Sequence, residues 1–132
     1  MKAFELQIVT PDREVFNGQA ESVLVPTSEG VIEILADHID YMAIINVGKM
    51  RLIVGGNSKT AACSDGFMTV SGGKARIICT TFEFADEIDV ERANRSKAKA
   101  EERLATKLDE RTEKLVKAKL ARALNRIKVA EL

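Results

Sequence analysis

The rhythm of apolar and polar positions changes near residue 85. Before it, short runs either alternate with period two or are apolar almost throughout: FELQIV, ESVLVP, GVIEIL, MAII, MRLIV, TAAC, FMTV and ARIICTTF. Alternation sends successive side chains to opposite faces of a pleated strand, so each run predicts a strand with one face on a core. Between the runs sit TPDR, PTSEG, NVGK, GGNSK, SDG and SGGK, which carry the residues that tight turns require. All eight glycines and both prolines lie at or before residue 73. Residues 1–85 are therefore expected to form a β-sandwich of about eight to ten short strands.

After the break the period lengthens to three or four. From Asp86 to Leu132 there is no Gly or Pro, and Ala, Lys, Arg, Glu and Leu favour helix at almost every position. Two antiparallel helices are expected, over about residues 89–105 and 110–129. Val90, Ala93, Lys97, Ala100 and Leu104 form the stripe of the first, and Val116, Leu120, Ala123, Leu124 and Ile127 that of the second. The fold class is α+β, an N-terminal β-sandwich followed by a C-terminal antiparallel two-helix hairpin over residues 86–132. Glu91/Arg95, Glu110/Lys114 and Glu113/Lys117 stand in the favourable i,i+4 order, each adding about 0.2–0.5 kcal/mol. The link LATKLDERT has no glycine cap and no proline stop, only Thr106-x-x-Asp109 and Asp109-x-x-Thr112 as candidate helix starts. A small, alanine-rich seam and a weakly encoded turn predict a movable element, in which a hairpin competes with an extended helical form.

Charge sharpens this division. The 132 residues are 45% apolar, enough for one core and a small appendage, and twenty basic residues balance twenty acidic ones. A neutral chain offers no general field for nucleic acid or an anionic membrane, so a charged partner must meet a local patch. Residues 1–85 hold seven Lys+Arg and ten Asp+Glu, whereas 86–132 hold thirteen and ten. Arg111, Lys114, Lys117, Lys119, Arg122, Arg126 and Lys128 face only Glu113 between residues 111 and 128. Such a run is commonly a solvated helix face, but it also repels itself unless phosphate or a carboxylate-rich surface is nearby in some state. Arg122 and Arg126 are one turn apart, about 6 Å along the axis, so their guanidinium forks reach one polyphosphate. In a hairpin, Asp89 and Arg92 at the open end lie near Arg126. Asp89 reads as the cap of the first helix, whose first-turn amides still face an anion beside Arg92.

Other chemistry finds little support. DHID, residues 37–40, groups the single histidine with Asp37 and Asp40, but a catalytic zinc needs three protein ligands and a triad needs a marked nucleophile. A polar loop is the plainer reading. SGGKA and NVGKM lack the full phosphate-loop pattern and read as turns. Cys63 and Cys79 lie in apolar strand-like runs without CxxC spacing and read as buried free thiols of a reducing compartment. No apolar run approaches the roughly 20 residues that span a bilayer, and MKAFELQIVTP lacks the basic and apolar regions of an export signal. The expectation is that the chain stays where it is made.

The ordered motifs FELQIVTPDREVFNG, VPTSEG, DGFMTVSGGK and ADEIDVERA match, in sequence and spacing, those of one family. Over essentially its whole length the chain resembles the epsilon subunit family of the bacterial-type rotary ATP synthase. The resemblance implies a non-catalytic, regulatory subunit of a proton- or sodium-translocating ATP synthase, peripheral on the cytoplasmic face of the bacterial membrane and touching it only indirectly. It implies that the sandwich docks on the gamma subunit and the c ring, and that no nucleic acid is bound. The hairpin is implied to fold against the sandwich or to extend along the shaft to the acidic surface of the α/β catalytic head, where it inhibits ATP hydrolysis.

ATP is implied as a regulatory ligand of the folded-down state. Ile88, Asp89, Arg92 and Ala93, in IDVERA, complete the family's motif of Ile or Leu, Asp, two variable residues, Arg and Ala. Glu83, Arg122 and Arg126 match further nucleotide-contacting positions, and Lys99 stands where an arginine is sometimes found. GVIEILADHID departs from a family pattern closer to GELGVLPGHAP: His38 keeps its place, while Val31, Glu33, Ala36, Asp37, Ile39 and Asp40 do not. Val31 and His38 are the implied docking residues of this loop. Two readings of other classes are an adaptor whose basic helix binds RNA or another polyanion, and a small enzyme centred on His38. The absence of aromatics after Phe84 removes the stacking platform an RNA reader would use.

Overall fold

Period-two alternation resolves into ten strands: β1 (Phe4–Val9), β2 (Glu14–Ala20), β3 (Ser22–Thr27), β4 (Gly30–Ile34), β5 (Tyr41–Ile45), β6 (Gly48–Val54), β7 (Asn57–Cys63), β8 (Gly66–Ser71), β9 (Lys74–Cys79) and β10 (Phe82–Phe84). The computed structural model describes residues 2–131. The chain divides into two compact units, Met1–Phe84 and Ala85–Leu132.

In the first unit the strands follow the order β10-β7-β6-β3-β5-β8-β9-β1-β2 in one sheet, with β4 paired to β3 off that path. Among the described residues every pairing is antiparallel except that of β1 with β9. The joint between β3 and β5 is one residue pair, Thr27 with Ile45. The sheet curls until β2, at one end, lies against β6, which makes a near-barrel sandwich. Leu6, Ile8, Val23, Ile45, Met50, Leu52, Met68 and Ile77 are almost wholly excluded from solvent and fill it. Each such side chain contributes about 1.5–3 kcal/mol relative to exposure.

Both Gly-Gly turns form as expected. Gly55–Gly56 and Gly72–Gly73 each have φ near +57° and +79°, the two positive values that a two-residue hairpin turn needs. NVGK is a different case, because Gly48 and Lys49 belong to β6. A Cβ at Gly48 would meet the Pro26 side chain at 2.9 Å, so this glycine permits close strand packing. The run ARIICTTF divides into β9 and the start of β10, and β2 lies where no strand was expected.

Cys63 and Cys79 are free and buried. Cys63 Sγ donates to the Gly48 and Asn46 carbonyls at 3.6 and 3.8 Å. Its hydrogen bond with Cys79, reinforced by burial, pushes the Cys63 thiol well above the usual range, so it stays protonated.

The second unit opens with a 3₁₀ turn, Ala85–Glu87, followed by α1 (Val90–Leu104) and α2 (Glu110–Ala130). Asp89 Oδ1 accepts from the Arg92 amide at 3.0 Å and Asp109 Oδ1 from the Thr112 amide at 2.7 Å, so both helices start on an aspartate cap. The Thr112 hydroxyl and amide hold the Asp109 carboxyl below the ordinary carboxylate range. Thr106 closes α1 instead of starting α2: its amide and hydroxyl both donate to the Arg103 carbonyl, at 3.1 and 2.6 Å.

α2 packs along α1. Among the described residues of this unit, Ala93, Ala100, Val116, Ala123 and Val129 are buried. Val90 and Leu124, expected in the stripes, are exposed, while Lys97, Leu104, Leu120 and Ile127 are half-buried. The stripes are thus narrower than the spacing predicts, and the seam is mostly alanine. Two of the three expected i,i+4 pairs close, Glu113–Lys117 at 2.9 Å and Glu91–Arg95 at 4.0 Å. Glu110 and Lys114 make no ion pair among the described residues.

Candidate functional site

The alanine seam decides what the two helices enclose. With so little side chain at the contact, longer residues at its margin stand around an open cleft of about 320 Å³. Its walls are Lys99 and Arg103 from α1 and Lys119, Arg122 and Arg126 from α2, joined by the Ser96 hydroxyl. Ala100 and Val116 form the floor. Among the described residues no carboxylate lines it. Lys99, Arg103, Lys119 and Arg122 enter no ion pair among the described residues. Lys99/Arg103 and Arg122/Arg126 are like charges at i,i+4, each destabilising by about 0.2–0.5 kcal/mol in an isolated helix. The arrangement suits an anion that draws the five cations together.

Of the residues singled out from the sequence, Lys99, Arg122 and Arg126 meet in this cleft. Asp89, Arg92 and Ala93 form a second group at the start of α1, where Asp89 takes the Arg92 amide on its side chain and the Ala93 amide on its carbonyl at 3.0 Å. Ala93 is buried and Arg92 is exposed. Ile88 is half-buried, its amide donating to the Ala85 carbonyl at 3.4 Å. Glu83 belongs to β10 of the first unit, opposite Ala62 of β7. Arg103, Lys119 and Ser96 were not singled out as site residues. The i,i+4 repetition of charge at Lys99 and Arg103 was the available signal, on a helix whose net charge is otherwise balanced.

The DHID loop does not gather its polar groups. Asp37 pairs with Lys2 at 2.6 Å, Asp40 accepts the Gly72 amide at 3.1 Å, and His38 Nδ1 donates to the Ile39 carbonyl at 2.7 Å. Among the described residues no group of three or more His, Cys, Asp and Glu is placed to hold a metal ion. Asp37 takes a positive φ of 63° there, and Ile39 stands 76% exposed. Val31, on β4, is 66% exposed.

A second exposed apolar surface was not anticipated. Register places Ile44 of β5, Phe67 of β8 and Ile78 of β9 in one cross-strand row, with Met42 two residues along β5 on the same face. All four are exposed, Met42 by 66%. A contiguous apolar patch on an outer sheet face is the ordinary mark of a protein contact. No helix of the described residues is long and apolar enough to cross a membrane.

Comparison with known proteins covers both units. Residues 3–85 match the family model of the ATP synthase delta/epsilon chain β-sandwich domain, and residues 86–131 match that of the delta/epsilon chain long α-helix domain. The chain is 38% identical over 131 residues to the ATP synthase epsilon chain of Ruminococcus albus, covering 98% of each. It is 37% identical over 132 residues to that of Bacillus cytotoxicus, covering 100% of this chain and 99% of the relative. Among solved structures, a chain of the Euglena gracilis mitochondrial ATP synthase superposes with a TM-score of 0.76 at 20% identity, covering 98% of this chain and 79% of that one. A chain of the Tetrahymena thermophila mitochondrial ATP synthase central stalk and c ring gives 0.67 at 15% identity, covering 96% and 95%. These two likenesses concern the fold.

Proposed function

The chain belongs to the ATP synthase epsilon-chain family, whose members are non-catalytic subunits, and from that premise we propose that its helical unit regulates the enzyme by binding ATP. The observation that carries this reading is the cation-lined cleft between α1 and α2, with the Asp89-capped first turn and Arg92 at the start of the same helix. Lys99, Arg122 and Arg126 grip the phosphates there, and Arg92 and the first-turn amides add donors. ATP that binds only the paired helices stabilises them by about 2.7 kcal/mol at one hundred times its Kd. A seam of three alanines and two valines is weak enough for that to change the dominant state.

In the other state the helices extend, and the basic face of α2 meets the acidic surface of the α/β catalytic head and inhibits ATP hydrolysis. The sandwich acts in the central stalk, docking on the gamma subunit and the c ring through the Met42–Ile44–Phe67–Ile78 face, Val31 of β4 and the loop carrying His38. The subunit reaches the membrane only through these partners.

Calorimetry tests the nucleotide site. ATP binds the isolated chain, and R122Q/R126Q weakens it at least about tenfold, the loss of one charge-assisted contact or more. No heat at millimolar ATP would overturn the reading.

A further inference from the structure

The cleft is longer and more basic than a nucleotide-contacting set of Lys99, Arg122 and Arg126 requires. Lys119 and Arg126 lie seven residues apart on α2, about 10 Å along its axis, and Arg103 extends the opposite wall one turn beyond Lys99. Among the described residues every polar side chain on the walls is a cation or Ser96, with no aromatic face, carboxylate or amide side chain to recognise a base. The groove therefore reads phosphate repeatedly along its length and little else.

We propose that the α1–α2 cleft is a binding site for linear inorganic polyphosphate, with Arg103 and Lys119 holding the phosphates beyond those held by Lys99, Arg122 and Arg126. Single phosphates engage one part of the ladder, whereas a chain bridges both walls. Bridging removes the repulsion between Lys99 and Arg103 and between Arg122 and Arg126 in one event. The proposal goes beyond the nucleotide reading, although the two share three cations, so the ligands compete.

Titration calorimetry of the full chain at fixed ionic strength, with orthophosphate, tripolyphosphate and longer inorganic polyphosphate as probes, is the test. Affinity rises at least about tenfold from orthophosphate to tripolyphosphate, as expected when further charge-assisted contacts are added. R103Q/K119Q lowers polyphosphate affinity by about tenfold or more and ATP affinity by less than about threefold. K107Q/K114Q removes the same charge outside the cleft and leaves polyphosphate binding unchanged. Circular dichroism shows both variants as helical as the parent. Equal weakening in the two double variants, or tripolyphosphate binding no tighter than orthophosphate, overturns the proposal. Polyphosphate binding without ATP binding contradicts the nucleotide reading alone, and ATP binding without polyphosphate binding contradicts this one alone.

Discussion

The sandwich excludes Leu6, Ile8, Met50, Leu52 and Met68 from solvent, whereas the helical unit buries Ala93, Ala100 and Ala123 with only Val116 and Val129. Burial scales with apolar area at about 25 cal/mol per Å², so the first unit has a core that fixes one shape and the second has a seam that only favours one. Charge runs the other way. The seam that contributes little is bordered by five cations in one cleft, so a ligand can contribute to the hairpin what its own packing does not. One chain thus carries a well-packed platform and, on the proposed function, an element whose state a ligand sets.

The contrast can be tested from both sides. The largest effect is expected in the platform: Leu52→Ala, at a fully buried site, costs about 2–5 kcal/mol, read from the urea midpoint of the sandwich. A cost below about 1 kcal/mol would mean the core is looser than its burial implies. In the hairpin, Ala123→Leu forces a large side chain into a contact with no room and costs about 1–3 kcal/mol. It lowers far-ultraviolet helix signal at temperatures where the strands persist. Unchanged helix content would show that the alanine seam is not the contact that matters.

The smallest effect is on pH. Asp109 is held below the ordinary carboxylate range by Thr112, so its contribution to the start of α2 is present above that range and is lost as pH falls through the folded-state value. Acidification frays the first turn of α2, and raising the pH from neutral leaves it intact. An Asp109 carboxyl that titrates at the ordinary value in nuclear magnetic resonance would remove this contribution.

What was readable in the sequence follows from how local each feature is. Strands with strict alternation, such as FELQIV, declare themselves, and so do the Gly-Gly turns and the aspartate caps, which act over three residues. β2 did not, because EVFNGQA buries only Ala20 and becomes a strand through its pairing with β1. The division of ARIICTTF depends on distant partners: Thr80 bonds the Asp65 carbonyl and Thr81 the Ser64 hydroxyl. Arg122 and Arg126 were readable from the bias of α2, whereas Arg103 depends on how α1 is turned toward its neighbour. The outward row of Met42, Ile44, Phe67 and Ile78 was hidden because it depends on the register of three strands, β5, β8 and β9.

Native-state hydrogen exchange, with and without ATP, tests the central contrast most directly. The account predicts that α1 and α2 amides exchange through an opening of lower free energy than those of β1, β6 and β8, and that ATP slows the helical amides while leaving the strands unchanged. Helices and strands that exchange through one common opening, with no response to ATP, would contradict it.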